Sequence, residues 1–347
     1  MTVFIKKIRS LATKKTNIME VCGTHTMAIA SYGIKSLLPK NINLISGPGC
    51  PVCVTPVGTI DSAIELAKNG CVIATFGDML KVPGSVSSLE KEKSSGSDIR
   101  IVCSAGDSIK IAENNPKKEV VFVGVGFETT SPTFAATVKI VEKEKIKNFS
   151  VLPAFKLIPP ALKIILEQKK IKIDAFILPG HVSAIIGSRP YGFISEKFNT
   201  PAVITGFEPS DILEGIFFIL KQIKSNKPEI EIQYKRAVKP QGNPFAVKLL
   251  YSVFEETNSQ WRGIGIIKNS GLKFTKTYKN YDALKKFKMK IKSVEEHAGC
   301  LCGKVLTGIA KPQQCGYFGK NCTPLNPIGP CMVSSEGTCA SYYKYGF

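Results

Sequence analysis

Short apolar runs that end in glycine-bearing loops and lead directly into helix starts recur along this 347-residue chain, and that alternation restricts it to α/β architecture. Residues 43–46 run into Gly47-Pro-Gly49, and Thr55-Pro56 then opens a helix on which Ile60, Ile64 and Ala67 share one face. Residues 71–76 form the next apolar run. Residues 120–125 end in Gly126-Phe-Glu-Thr-Thr130, after which Ser131 can cap a helix that has Pro132 in its first position. Residues 175–178 end in Pro179-Gly-His181, and 202–205 end in Gly206-Phe-Glu-Pro-Ser-Asp211 ahead of an apolar helix at 212–220. Four predicted strands thus finish in loops that feed helices. Ligands of open parallel sheets bind at such carboxyl ends.

A short repetition suggests how these elements are grouped. Gly126-Phe-Glu128 recurs as Gly206-Phe-Glu208, and Thr55-Pro56 and Ser131-Pro132 start helices alike. Two similar parallel-sheet α/β domains are therefore expected at 16–115 and 116–225. Polar residues 90–98 read as a surface loop and 224–231 as a boundary. Beyond it come a helix near 243–255, a strand at 263–267 and a cysteine-rich tail. Residues 226–347, with the N-terminal segment 1–15, are expected to form a third unit.

Six of the eleven cysteines lie in the last 48 residues: Cys300, Cys302, Cys315, Cys322, Cys331 and Cys339. The stretch is rich in glycine and proline, so its loops can bend to bring sulfurs together around a metal or an iron-sulfur cube. Cys300, Cys315, Cys322 and Cys339 are spaced by 14, 6 and 16 residues. Those intervals fit a cluster better than the two close pairs of a structural zinc site. On spacing alone Cys302 or Cys331 can replace a member of that quartet.

A second group of thiols is N-terminal. Cys22-Gly-Thr-His25 places a thiol and an imidazole three residues apart, and Cys50-Pro-Val-Cys53 follows a strand end just ahead of a helix start. A helix N-terminus favours thiolate, which makes a better nucleophile and metal ligand. Cys50 and Cys53 can form a disulfide, chelate one metal, or alternate between the two. Cys71 and Cys103 lie in or beside apolar strand segments and read as small buried hydrophobes. His25 and His181 fall in glycine-bearing loops, which favours a site role for both, whereas His297 reads as a surface residue. Glu128 and Glu208 are equally compatible with helix capping and with a site role.

Charge and hydropathy narrow the class. The net charge is +20, but only five of the 47 basic residues are arginine and the lysines are scattered without interleaved aromatics, which argues against nucleic acid as a partner. No run approaches the roughly 18 apolar residues of a membrane span, and the N-terminus lacks the apolar core of a signal peptide. A cytoplasmic location is expected, where cysteines serve as ligands or redox thiols more often than as structural disulfides.

In chain order the motifs are Met19-Glu-Val-Cys-Gly-Thr-His-Thr26, Gly47-Pro-Gly-Cys-Pro-Val-Cys-Val-Thr-Pro56, Gly126-Phe-Glu-Thr-Thr130, Pro179-Gly-His-Val-Ser183, Gly206-Phe-Glu-Pro209, Trp261-Arg-Gly-Ile-Gly265, Gly329-Pro-Cys-Met-Val-Ser334 and Glu336-Gly-Thr-Cys339. Together they resemble those of the HypD family of hydrogenase maturation factors over nearly the whole chain. The resemblance implies a scaffold that, with a small HypC-type partner, holds the iron on which the Fe(CN)2CO unit of [NiFe]-hydrogenase is built. Cyanide would come from a HypE–HypF pair. It further implies Cys22 as iron ligand, Cys50 and Cys53 as a redox pair, and Cys300, Cys315, Cys322 and Cys339 as ligands of a [4Fe-4S] cluster. Cys302 with Cys331 would be a dithiol/disulfide beside that cluster, similar to ferredoxin-thioredoxin reductase. His25, His181, Glu128 and Glu208 would orient ligands or move protons. The rival expectation is a stand-alone thiol-disulfide oxidoreductase acting on a protein substrate; a third is a zinc-stapled binding module.

Overall fold

A computed structural model describes residues 2–168 and 171–346. Its strands are β1 (Thr16–Glu20), β2 (Ile42–Ser46), β3 (Val72–Thr75), β4 (Ile99–Ile101), β5 (Val120–Gly126), β6 (Phe149–Phe155), β7 (Ala175–Pro179), β8 (Ala202–Thr205), β9 (Ile230–Ile232), β10 (Phe254–Trp261) and β11 (Gly265–Phe274). Two wholly parallel sheets result, in the orders β2-β1-β7-β8-β9 and β4-β3-β5-β6. β10 and β11 form an antiparallel hairpin that touches the second sheet through the bridge between Lys156 and Gly271.

Both faces of each sheet are covered, which is why their strands are near-continuous apolar runs. Side chains alternate across the pleat. Ile18, Ala175, Ile177 and Val203 face a core with the helices Thr2–Leu11, Gly23–Ser31 and Pro209–Ser225. Met19, Phe176 and Leu178 instead join Ile73, Val121 and Val123 of the second sheet in a central core. Val120, Phe122 and Phe149 meet the hairpin and the helices Ser131–Lys143 and Pro244–Val253 on the far side.

The architecture is the expected α/β with two parallel sheets, but strand pairing does not follow a division at 115/116. The chain leaves the first sheet after β2, builds the whole of the second, and returns at β7. The four-strand pattern is repeated between sheets, yet the Gly-Phe-Glu echo is not part of it: β5 lies next to the switch strand β3, whereas β8 lies one strand further out, beside β7. Residues 224–231 are not a boundary, because β9 extends the first sheet. Within 90–98, Leu89–Ser94 is a short helix capped by Ser88, whose side chain accepts from Lys91 N.

The third unit also reads differently. The N-terminal helix packs on Pro209–Ser225 and buries Ile8 in the first sheet's core, so segment 1–15 belongs there and not with the tail. In the tail, Cys302, Leu306 and Cys331 share the central core with Met19 and Val121, and among the described residues the tail forms no core cluster apart from it. Among the described residues no helix is long and apolar enough to cross a membrane.

Candidate functional site: a thiol cleft between two sheets

Strand order locates the site. In the first sheet β1 connects outward to β2 on one side and pairs with β7 on the other; in the second, β3 does the same between β4 and β5. Crevices at such reversals, outside the carboxyl ends of strands, are the ligand sites of open parallel sheets. Cys22 follows β1, His181 follows β7, and Phe127, Thr129 and Thr130 follow β5. All five line a single cleft of about 140 Å³, together with Glu336 from the tail.

Cys22 is the N-cap of Gly23–Ser31 and is 8% exposed. Two glycines allow its setting. A Cβ on Gly49 would lie 2.2 Å from Cys22 N, and one on Gly23 would lie 2.4 Å from Glu336 Cβ, so neither position has room for a side chain. Gly23 N donates to Gly49 O at 2.9 Å, which fastens the loop before Cys50 to the start of the Cys22 helix. Burial, then the carboxylate of Glu336, pushes the Cys22 thiol up to about 12. Beneath it the buried Glu20 accepts from Cys22 N at 3.1 Å and from the Thr26 hydroxyl.

The two histidines flank Phe207. His25 lies 4.7 Å and His181 4.1 Å from its ring, centroid to centroid. His25 is fully buried, and its Nε2–H donates to Gly206 O at 2.9 Å, which leaves Nδ1 as the lone-pair nitrogen of a neutral ring. Among the described residues no partner meets that Nδ1. Burial lowers His25 to about 4 and also lowers His181, so both rings are neutral at pH 7.

The two glutamates are both tied to helix starts. Glu208 is exposed and closes a capping box with Asp211 on Pro209–Ser225. Glu128 is buried, accepts from Ile158 N at 2.9 Å where Ile158–Gln168 begins, and finds no partner for its second oxygen among the described residues. Burial raises its carboxyl from 4.5 to about 8. A group raised in this way favours the fold most below its unfolded value, and that contribution is lost as pH climbs through the folded one. Between pH 4.5 and 8 the wild-type melting temperature is therefore expected to fall by a slope that Glu128→Gln largely removes. Parallel melting curves for the two proteins across that window would contradict the assignment.

Cys50 and Cys53 are disulfide-bonded, and Cys50 caps the turn Pro51–Val54. Cys53 Sγ lies 4.0 Å from Pro330 O, one residue from Cys331. Cys331 and Cys302 approach to 2.9 Å, sulfur to sulfur, and contact with the Cys331 thiol pulls Cys302 below its ordinary value, helped by Arg262. Arg262 is buried, bonds Thr55 O and Glu296, and has no partner for Nη2 among the described residues. All six tail cysteines line one apolar pocket behind the disulfide. There Ile328 N donates to Cys322 Sγ at 3.3 Å, and burial followed by the neighbouring Cys302 thiol raises Cys300 to about 12. The sulfurs converge without being set for coordination: among the described residues no group of three or more His, Cys, Asp or Glu side chains is arranged to hold a metal ion.

Cys71 is buried as expected, but Cys103 is exposed on the loop after β4, where its N–H donates to Asp107. His297 is exposed and packs edge-on against Tyr317. Sequence reasoning did not single out Glu336, Glu20 or Arg262. Glu336 and Arg262 stand inside motifs, and only the long-range packing of those motifs on Cys22 and Cys302 gives them a place.

Fold and cleft define a two-sheet parallel α/β protein with thiols gathered at its candidate site: one buried cysteine at a switch point, a disulfide fastened beside it, and a cysteine-lined pocket behind. A family model described as HypD, hydrogenase formation hypA family, matches residues 1–346. The hydrogenase maturation factor HypD2 of Bradyrhizobium diazoefficiens is 46% identical over 352 residues, covering 98% of this chain and 93% of that relative. The hydrogenase maturation factor HypD of Escherichia coli is 44% identical over 336 residues, covering 96% and 90%. That of Cupriavidus necator is 43% identical over 342 residues, with the same coverage. The chain belongs to the HypD family of hydrogenase maturation factors.

Proposed function

We propose that this chain is the redox-active scaffold on which the Fe(CN)2CO unit of a [NiFe]-hydrogenase is assembled, with a HypC-type small partner and with cyanide delivered by a HypE–HypF pair. The observation that carries the reading is the position of Cys22, a lone thiol where the switch points of two sheets open into one cleft. Thiolate is a soft ligand suited to iron carrying cyanide and carbonyl. Without a cation the buried Cys22 keeps its proton, so binding the iron substrate displaces that proton. His181 faces the same cleft as a neutral base, and His25 holds the Gly206 end of β8 in register beneath it.

The tail supports a resident cluster by the chemistry of its donors: six thiols in one apolar pocket, with a backbone N–H directed at Cys322. A [4Fe-4S] cluster would be held by Cys300, Cys315, Cys322 and Cys339, and when bound it supplies single electrons. Cys302 and Cys331 remain as a thiol pair, one residue from the Cys53 contact. That contact also favours the oxidoreductase reading, so stoichiometry decides. Anaerobically purified protein, alone and with its small partner, is expected to contain about five irons per chain, against about four for a reductase and zinc for a binding module. Four irons that never rise in the complex would end the scaffold reading.

Cys302→Ser separates the two roles in the tail. Iron and sulfide should stay at wild-type values, because that sulfur pairs with Cys331. Loss of the cluster in this variant would mean that Cys302 is itself a ligand.

A further inference from the structure

The tail does not merely end beside the cleft; it crosses it. Residues 330–339 carry Cys331 and Cys339 at the cysteine pocket, and between them Glu336 lines the Cys22 cleft. Glu336 is fixed at both ends. Its side chain accepts from the Thr24 hydroxyl, two residues from Cys22, and its N–H donates to Ser334 Oγ at 3.3 Å. Ser334 Oγ in turn donates to Asp78 Oδ2 at 2.9 Å, and the same oxygen accepts from Ser335 N at 3.3 Å and from the Ser335 hydroxyl at 3.5 Å. Asp78 sits on the short turn Gly77–Met79 after β3, at the second sheet's switch point.

We infer that Asp78 is a positioning residue for the Cys22 cleft: it clasps Ser334 and Ser335 so that Glu336 closes over Cys22 and ties the carboxyl edges of the two sheets together. Three features support this. One carboxylate oxygen takes three donors from two consecutive tail residues, whereas the cleft side of the clasp depends on a single side-chain bond, Thr24 to Glu336. The absence of a Cβ at Gly23 lets Glu336 lie directly on the start of the Cys22 helix. Gly337 packs on the Cys331 carbonyl, where a Cβ would come within 2.2 Å, so the absence of a side chain there lets the segment fold back closely on itself beside the cysteine pocket. Loss of the Asp78 bonds would let the segment move off the cleft, and that movement would uncover Cys22. The inference rests on the proposed role of Cys22 for its purpose, though its test does not.

The test is alkylation of the full-length chain, purified anaerobically without partner, by iodoacetamide at fixed pH, with each cysteine followed by peptide mass. Asp78→Ala should speed labelling of Cys22 roughly tenfold or more, since hydrogen bonds to a carboxylate are lost. Cys71, buried in the central core, is the internal control and should not change. Asp78→Asn keeps an oxygen acceptor and should restore slow labelling. Unchanged Cys22 labelling in Asp78→Ala overturns the inference, and so does a parallel rise at Cys71, which marks general loosening. If Asp78→Ala does not fold, Ser334→Ala decides: faster labelling of Cys22 alone supports the clasp, and wild-type labelling refutes it. Because no iron is required, failure of the scaffold reading would leave this result standing.

Discussion

Cys22→Ala is expected to abolish the infrared bands of bound cyanide and carbonyl in the complex with the small partner, while the tail cluster and the fold remain. The loss should be complete, because among the described residues Cys22 is the only cysteine that lines the cleft. Cys50 and Cys53 are joined to each other, and the tail sulfurs open into a different pocket. Alanine removes a buried thiol without touching the N–H that Glu20 accepts, so the helix start is preserved. Bands at wild-type intensity would remove Cys22 from the iron and favour the oxidoreductase.

On the proposed cluster assignment, Cys315→Ala should have the second large effect: loss of the brown chromophore and of acid-labile sulfide. Four thiolates are needed to hold a cube, and the spare sulfurs are committed to each other at 2.9 Å. Cys315 is partly exposed, with Sγ 3.8 Å from Gly299 O, so its replacement costs little packing and the variant should still fold. A full [4Fe-4S] spectrum in this variant would show that Cys302 or Cys331 ligates in its place.

The loops that line the cleft were more legible than the strand order around them. Loops after strands announce themselves through glycine, and Cys22, Cys50, His181 and Glu128 all stand in such loops. β1 does not announce itself, since Asn17 and Glu20 interrupt its five residues, and β10 is masked by Glu255, Glu256 and Asn258. Which strands share a sheet was the larger gap. A parallel pairing leaves no local trace, so the Gly-Phe-Glu echo suggested two consecutive domains where the chain builds one sheet inside the other. The glutamates show the same limit from the other side. Both are tied to helix starts, and only burial separates Glu128, with its unpaired oxygen, from the exposed Glu208.

The nested order of the sheets has a consequence for how the protein is made. β1 and β2 leave the ribosome early, but β1's other neighbour, β7, is encoded far downstream: Asn17 N meets Asp174 Oδ2 across 157 residues. Until that partner arrives, one edge of the β1–β2 pair stays open while the second sheet is completed from consecutive strands. Contacts of such long sequence separation are slow to form, and unpaired edges are prone to aggregate. Synthesis should therefore pass through a state with the inner sheet formed and the outer one waiting, with Cys22 on the open strand end. The Cys22 cleft would therefore take shape only when β7 docks, after about half of the chain has been translated, and would be complete only when Glu336 of the tail arrives.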